Sequence, residues 1–133
     1  MRRQFELPSF DTQYLDSTGC QWETVVEGNG RWLLIHDRPL PNEYNVERAL
    51  CALQIPPSYP QAQIDMVYFF PALARQDARP IGASNSTQVL DGKTFQRWSR
   101  HRTESSSWLP GEDDVCSHLT LVDGWLEREF KIR

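Results

Sequence analysis

The sequence predicts an α+β fold, a four-stranded antiparallel meander sheet packed by a C-terminal helix. Three observations carry that reading: apolar residues alternate in short runs between positions 21 and 70, proline and glycine clusters separate the runs, and an apolar stripe of helical spacing follows Pro110. The chain has 133 residues, enough for one sizeable core, and it is read as a single domain spanning 1–133.

Each element has its own warrant. After a short polar lead, residues 21–27 alternate, Gly28-Asn29-Gly30 supplies turn chemistry, and 31–37 reads as the returning strand of a hairpin. Pro39 and Pro41 interrupt the chain before a third strand over 47–55, which sets Ala49, Cys51, Leu53 and Ile55 on one face. Pro56-Pro57-Ser58-Tyr59-Pro60 is a stiff turn, because each proline fixes its own φ and holds the preceding residue extended. In the fourth strand, 64–70, Met66, Tyr68 and Phe70 share one face and Val67 and Phe69 the other, so both faces are expected to be covered.

Periodicity then disappears from 71 to 94, where Gly82, Ser84, Asn85, Ser86 and Gly92 suggest a long irregular crossing; loops of that length are commonly functional. Helical order returns at Pro110, with Glu112, Asp113 and Asp114 suited to the positive end of a helix dipole. Val115, Leu119, Val122 and Leu126 form the stripe that would pack on the sheet.

Composition narrows the function. Three cysteines without a C-x-x-C pair and three scattered histidines argue against a disulfide framework and a metal site, and favour a reducing compartment. The opening residues lead into no apolar run of signal-peptide length, and no stretch is long enough to span a bilayer, so no membrane association and a cytoplasmic location are expected. A net charge of −4 and a pI near 5.3 give no overall reason to bind nucleic acid, despite a local cluster of Arg97, Arg100, His101 and Arg102. Proteins are the expected partners.

The order of four strands, Tyr59-Pro60 after the third, a long irregular stretch and Trp108-Leu109-Pro110 leading a helix resembles the ubiquitin-conjugating-enzyme (UBC) fold. Arg38-Pro39-Leu40-Pro41, Gln54-Ile55-Pro56-Pro57-Ser58-Tyr59-Pro60 and Gln96-Arg97-Trp98-Ser99-Arg100-His101 resemble a prokaryotic branch of that superfamily, family E of the bacterial conjugating enzymes. The resemblance covers nearly the whole chain. It implies acyl transfer without a bound cofactor, an adenylating activating enzyme and a ubiquitin-like protein as partners, and an active site in the irregular stretch. Family members carry the acyl group on a cysteine preceded by His-Pro-Asn. Here no His-Pro-Asn occurs, and the corresponding position, eight residues before Trp108, is Arg100.

The cysteines are poor carriers on sequence grounds. Cys51 lies on the apolar face of the third strand, Cys116 sits beside Val115 and Leu119, and Cys20 is far from the irregular stretch. Trp98-Ser99-Arg100-His101-Arg102 is the better candidate. If this piece is extended, Ser99 and His101 point to one side, so the imidazole could take the hydroxyl proton and Arg100 could stabilise negative charge. An acyl group on Ser99 would be an oxyester. Asn85 is the amide near enough to serve as an oxyanion donor, whereas Ser105, Ser106 and Ser107 read as a flap.

Tyr59, Pro60, Trp98, Trp108 and Pro110 are read as the structural frame of the site, and His36 and His118 as surface or edge residues. Two functions stay open: an acyl carrier of ubiquitin-conjugating type, and a non-catalytic UBC-like variant that binds a ubiquitin-like protein or scaffolds its activating enzyme. A small hydrolase or nucleic-acid module at 97–102 is disfavoured by the acidic net charge and by the lack of a third triad member in the sequence.

Overall fold

Two glycine turns organise the sheet in a computed structural model that describes residues 1–131. Helix α1 spans Ser9–Ser17; the strands are β1 Trp22–Glu27, β2 Gly30–Pro39, β3 Arg48–Gln54, β4 Val67–Phe70, β5 Ser86–Leu90 and β6 Lys93–Trp98; helix α2 is Val115–Arg128. Gly28 takes φ 58° between β1 and β2, and the pair Asp91 and Gly92, at φ 54° and 74°, closes β5 onto β6. Both residues of that second turn are left-handed, the geometry that favours Asp-Gly in a two-residue hairpin. All strand pairs are antiparallel, in the order β1-β2-β3-β4-β6-β5.

The sheet thus has six strands among the described residues, not the expected four-stranded meander, and the supposed irregular crossing supplies β5 and the start of β6. Burial explains the difference. Leu90 and Phe95 pack with Val25, Trp32, Leu34, Ala52 and Tyr68 in a core on one face of the sheet. The sheet curls to make this possible: Arg2, paired with Glu23 of β1, also holds Asp91 of the β5–β6 turn at 2.7 Å, and the Asp91 N–H donates to Glu27 at 3.0 Å. The part of the crossing that stays irregular is pinned, since Gln96 both donates to and accepts from the backbone of Leu73.

The opposite face carries the larger core. Ala49, Cys51, Leu53 and Ile55 meet Val115, Leu119, Val122 and Leu126 there, together with Val67 and Phe69, as the period-2 and helical patterns require. Each fully buried leucine or valine of the stripe stabilises the fold by about 1.5–3 kcal/mol relative to exposure. The helix begins at Val115 rather than at Pro110, because Asp114 accepts from the Ser117 N–H at 2.9 Å while the Ser117 hydroxyl takes the Asp114 N–H, a reciprocal cap. Pro110 lies in the turn before it.

The polar lead contains α1, which the sequence reading missed. Its Ser, Asp and Thr content gives weak intrinsic helicity, and only Leu15 and Asp11 are buried. Tertiary contacts hold it: Asp11 accepts from the Val115 N–H at 3.1 Å and from the Tyr59 hydroxyl at 2.5 Å. Among the described residues no helix is long and apolar enough to cross a membrane.

Candidate functional site

Strand β6 delivers the chain to the candidate site through Trp98, which is fully buried against Phe69 and whose indole N–H donates to Gln96 at 2.9 Å. The strand stops there. The Ser99 N–H donates to the Ala83 carbonyl at 2.8 Å, and the Arg100 N–H folds back to the Trp98 carbonyl at 3.0 Å, a three-residue closure centred on Ser99. Strand alternation therefore does not carry from Ser99 to His101. No hydrogen bond joins those two side chains among the described residues; the His101 ring instead faces Asp65, Nδ1 to Oδ2 at 3.1 Å.

The two arginines of the segment turn inward. Arg100 donates to the Gly82 carbonyl at 2.8 Å and to Glu129 at 3.1 Å, and its guanidinium lies 4.8 Å from the Trp98 ring. Arg102 donates to His118 Nδ1 at 2.9 Å and to the Ser106 carbonyl at 3.2 Å, and covers the Trp108 ring.

His118 is fully buried, contrary to its reading as a surface residue. A guanidinium has no acceptor, so Nδ1 must accept from Arg102, and Nε2–H then donates to the Met66 carbonyl at 2.9 Å. Burial pushes the imidazole down to about 4, so it is neutral at pH 7. The sequence signal was available: His118 stands three residues after Val115 and four before Val122, within a wider stripe than the one drawn from i and i+4 alone.

Beyond Arg102 the chain makes a short 3₁₀ turn, Glu104–Ser106, capped by Thr103. Its hydroxyls bond one another: Thr103 to Ser105 at 2.9 Å and to Ser106 at 3.2 Å. Trp108 closes the segment, its indole N–H donating to the Pro60 carbonyl at 2.9 Å and its ring 6.0 Å from that of Tyr59. The Tyr59 hydroxyl in turn meets both Asp11 and the first N–H of α2. Tyr59, Pro60, Trp98 and Trp108 thus join the segment to both helices and the sheet, while Pro110 is exposed in its turn.

Between this segment and α2 runs a groove of about 800 Å³, with His101, Arg102, Ser105, Asp113, Trp125 and Arg128 among its walls. Ser99 is half-buried and not among its walls, and Asn85 is exposed just before β5, two residues from the Ala83 carbonyl that holds Ser99. None of the cysteines lines the groove. Cys51 is sealed in the core, its thiol pushed up to about 12 by burial. Cys20 lines a separate groove with His36 and Arg38, and Cys116 is half-buried on α2. His36 is partly exposed and bonded to Glu23 at 2.7 Å. Among the described residues no three His, Cys, Asp or Glu side chains are grouped to hold a metal ion.

Sequence reasoning also missed Asp65, which precedes β4 by two residues and nevertheless reaches the ring of His101, 36 positions further along the chain. No local pattern marks it. Compared with known families, the chain matches the model described as Prokaryotic E2 family E over residues 7–129. No curated protein and no solved structure matches it.

Proposed function

The chain belongs to prokaryotic E2 family E, and from that premise we propose that it accepts or positions the C-terminus of a ubiquitin-like protein, delivered by an adenylating activating enzyme, for acyl transfer at a hydroxyl. One observation carries the reading: an exposed imidazole and a run of hydroxyls, with no thiol, sit on a segment that is clamped at both ends and walls an open groove. Ser99 is the first candidate carrier. Its oxygen attacks the acyl carbon of the adenylated C-terminus, AMP leaves, and His101 takes the hydroxyl proton as the ester forms. An amine then attacks the ester, and the proton lost by the amine goes to the departing serine oxygen. Asn85 is the amide assigned to the oxyanion, and Arg100 acts by holding the segment to Glu129 and Gly82.

A second reading, a non-catalytic member that binds a ubiquitin-like protein or scaffolds its activating enzyme, draws on a specific observation. Ser99 and His101 share no hydrogen bond, and both arginines beside them are engaged in the fold.

The deciding experiment is intact mass spectrometry after incubation with the activating enzyme, ubiquitin-like protein and ATP, comparing wild type with Ser99→Ala, His101→Ala and a Cys20/Cys51/Cys116 triple alanine. An adduct that survives thiol, is released by hydroxylamine and is lost in Ser99→Ala establishes the oxyester carrier. Absence of an adduct in every form, with partner binding intact, establishes the scaffold.

A further inference from the structure

We propose that Asp65 is the positioning residue of His101, fixing the imidazole with its proton on Nδ1 and leaving Nε2 as the proton acceptor of the groove. The inference rests on the acyl-transfer reading above for its consequence, and on geometry for the pair itself. An Asp–His contact on a protein surface is ordinarily worth little, and the His101 side chain is 68% exposed. Three features set this pair apart.

The first is how the carboxylate is held. Both neighbours of Asp65 are tied through their carbonyls: Ile64 accepts from Arg102 Nε at 3.5 Å and Met66 from the buried ring of His118 at 2.9 Å. Arg102 and His118 also bond each other, so one clamp fixes the backbone that carries Asp65 and the segment that carries His101. The second is local strain. Met66 adopts φ 57°, a left-handed conformation that non-glycine residues rarely take, and such a residue persists where its surroundings over-determine it. The third is the carboxylate itself: Oδ2 faces His101, while Oδ1 is buried with no hydrogen-bond partner among the described residues. A carboxylate oxygen buried without a donor costs stability, so its retention beside His101 calls for a reason, and a positioning role supplies one.

The chemistry follows from donor and acceptor capacity. A carboxylate only accepts, so the neutral ring bonds to it through Nδ1–H and presents a lone pair at Nε2. This is the tautomer that a general base needs on its open side, and the ring is on the groove wall. In the transfer step Nε2 takes the proton of the attacking hydroxyl as its oxygen bonds to the acyl carbon and AMP leaves. In discharge it takes a proton from the attacking amine as the C–N bond forms and returns it to the departing hydroxyl oxygen. Asp65 stays in place throughout and offsets the positive charge that the ring acquires.

The test pairs a spectroscopic readout with a kinetic one. Long-range ¹H–¹⁵N spectra, with the His101 signals identified by their loss in His101→Gln, report which ring nitrogen carries the proton. The wild type is expected to show Nδ1–H, and Asp65→Ala and Asp65→Asn to lose that signature. Adduct formation and its discharge to an amine, followed by intact mass, are expected to slow by about 10²-fold or more in both variants, within the range for general acid–base catalysis. Binding of the ubiquitin-like protein is expected to be unchanged, and Asp65→Ala to add no further loss in a His101→Gln background.

The same tautomer with and without Asp65 overturns the proposal, as does a changed tautomer with unchanged rates. A further loss of rate in the His101→Gln background overturns it too, since Asp65 would then act on something other than the ring. A wild type that forms no adduct defeats the acyl-transfer reading alone, and the tautomer comparison then decides for or against the pair by itself.

Discussion

The two halves of the segment between Trp98 and Trp108 are built on opposite terms. In the first, Arg100 and Arg102 reach out of the segment to Gly82, Glu129, Ile64 and His118. In the second, Thr103, Ser105 and Ser106 bond mainly to one another, and the exposed side chains face the groove. The contrast teaches that Arg100 and Arg102 do not make a free anion-binding surface. Arg100 and Arg102 are fasteners, and beyond them the segment leaves accessible one imidazole and a row of hydroxyls.

The contrast breaks most visibly at His118. Replacing it by alanine strips the Met66 carbonyl and the Arg102 guanidinium of a partner and leaves a cavity where the ring was buried, and is expected to cost about 3–4 kcal/mol in urea unfolding. Hydrogen exchange should accelerate across 102–108 in that variant and stay unchanged in the β1–β2 hairpin, to which none of the clamp's hydrogen bonds runs among the described residues.

Acid acts on the same residue. The ring titrates at about 4 in the fold against an ordinary value of 6.5, so between those values the unfolded chain binds the proton first. Stability from this group is complete above pH 6.5 and is lost as pH falls toward 4, on the order of 3 kcal/mol. Glu23, held down to about 2 mainly by Arg2, contributes in a lower window, lost between its ordinary 4.5 and 2. Asp11 runs the other way, because burial raises it and its fold gains relative stability as carboxylates protonate. A pH series of unfolding should therefore decline before the carboxylate range is reached, and His118→Gln should flatten the part above pH 4.5.

A smaller effect sharpens the far end of the segment. Tyr59→Phe removes the hydroxyl between Asp11 and the Val115 N–H and is expected to cost about 1–2 kcal/mol in thermal or urea unfolding. The smallest belongs to the exposed lip, where Ser105→Ala should change stability by less than about 0.5 kcal/mol. A larger loss there would make the lip part of the frame and erase the distinction between the halves.

Much of the scaffold was legible because it rests on period and turn chemistry. The β1–β2 hairpin, the two faces of β3 and β4 and the buried stripe of α2 stand where alternation and i, i+4 spacing put them, except that β4 begins at Val67 rather than at Ile64, because Met66 turns left-handed just before it. The β5–β6 hairpin had a sequence signal too, in Asp91-Gly92, but Ser86–Leu90 carries one buried residue, Leu90, too little alternation to read as a strand. Helix α1 had almost none, since a helix with two buried positions is held by what it touches. In the candidate site, the segment and its aromatic frame could be named from residue order, whereas the Asp65–His101 and Arg102–His118 contacts could not.

What the sequence by itself determined is the set of faces and turns: which side of each strand is apolar, where the chain reverses, and that no cysteine stands at the position before Trp108 where a thiol carrier would be expected. Only the tertiary structure decided which polar groups meet. Asp65 and His101 are 36 residues apart, Arg102 and His118 16, and Asp11 and Val115 104. Hydrophobic periodicity is a local property written into neighbouring residues, but a hydrogen bond between distant polar groups exists only after the cores have formed and brought them within 3 Å or so of each other.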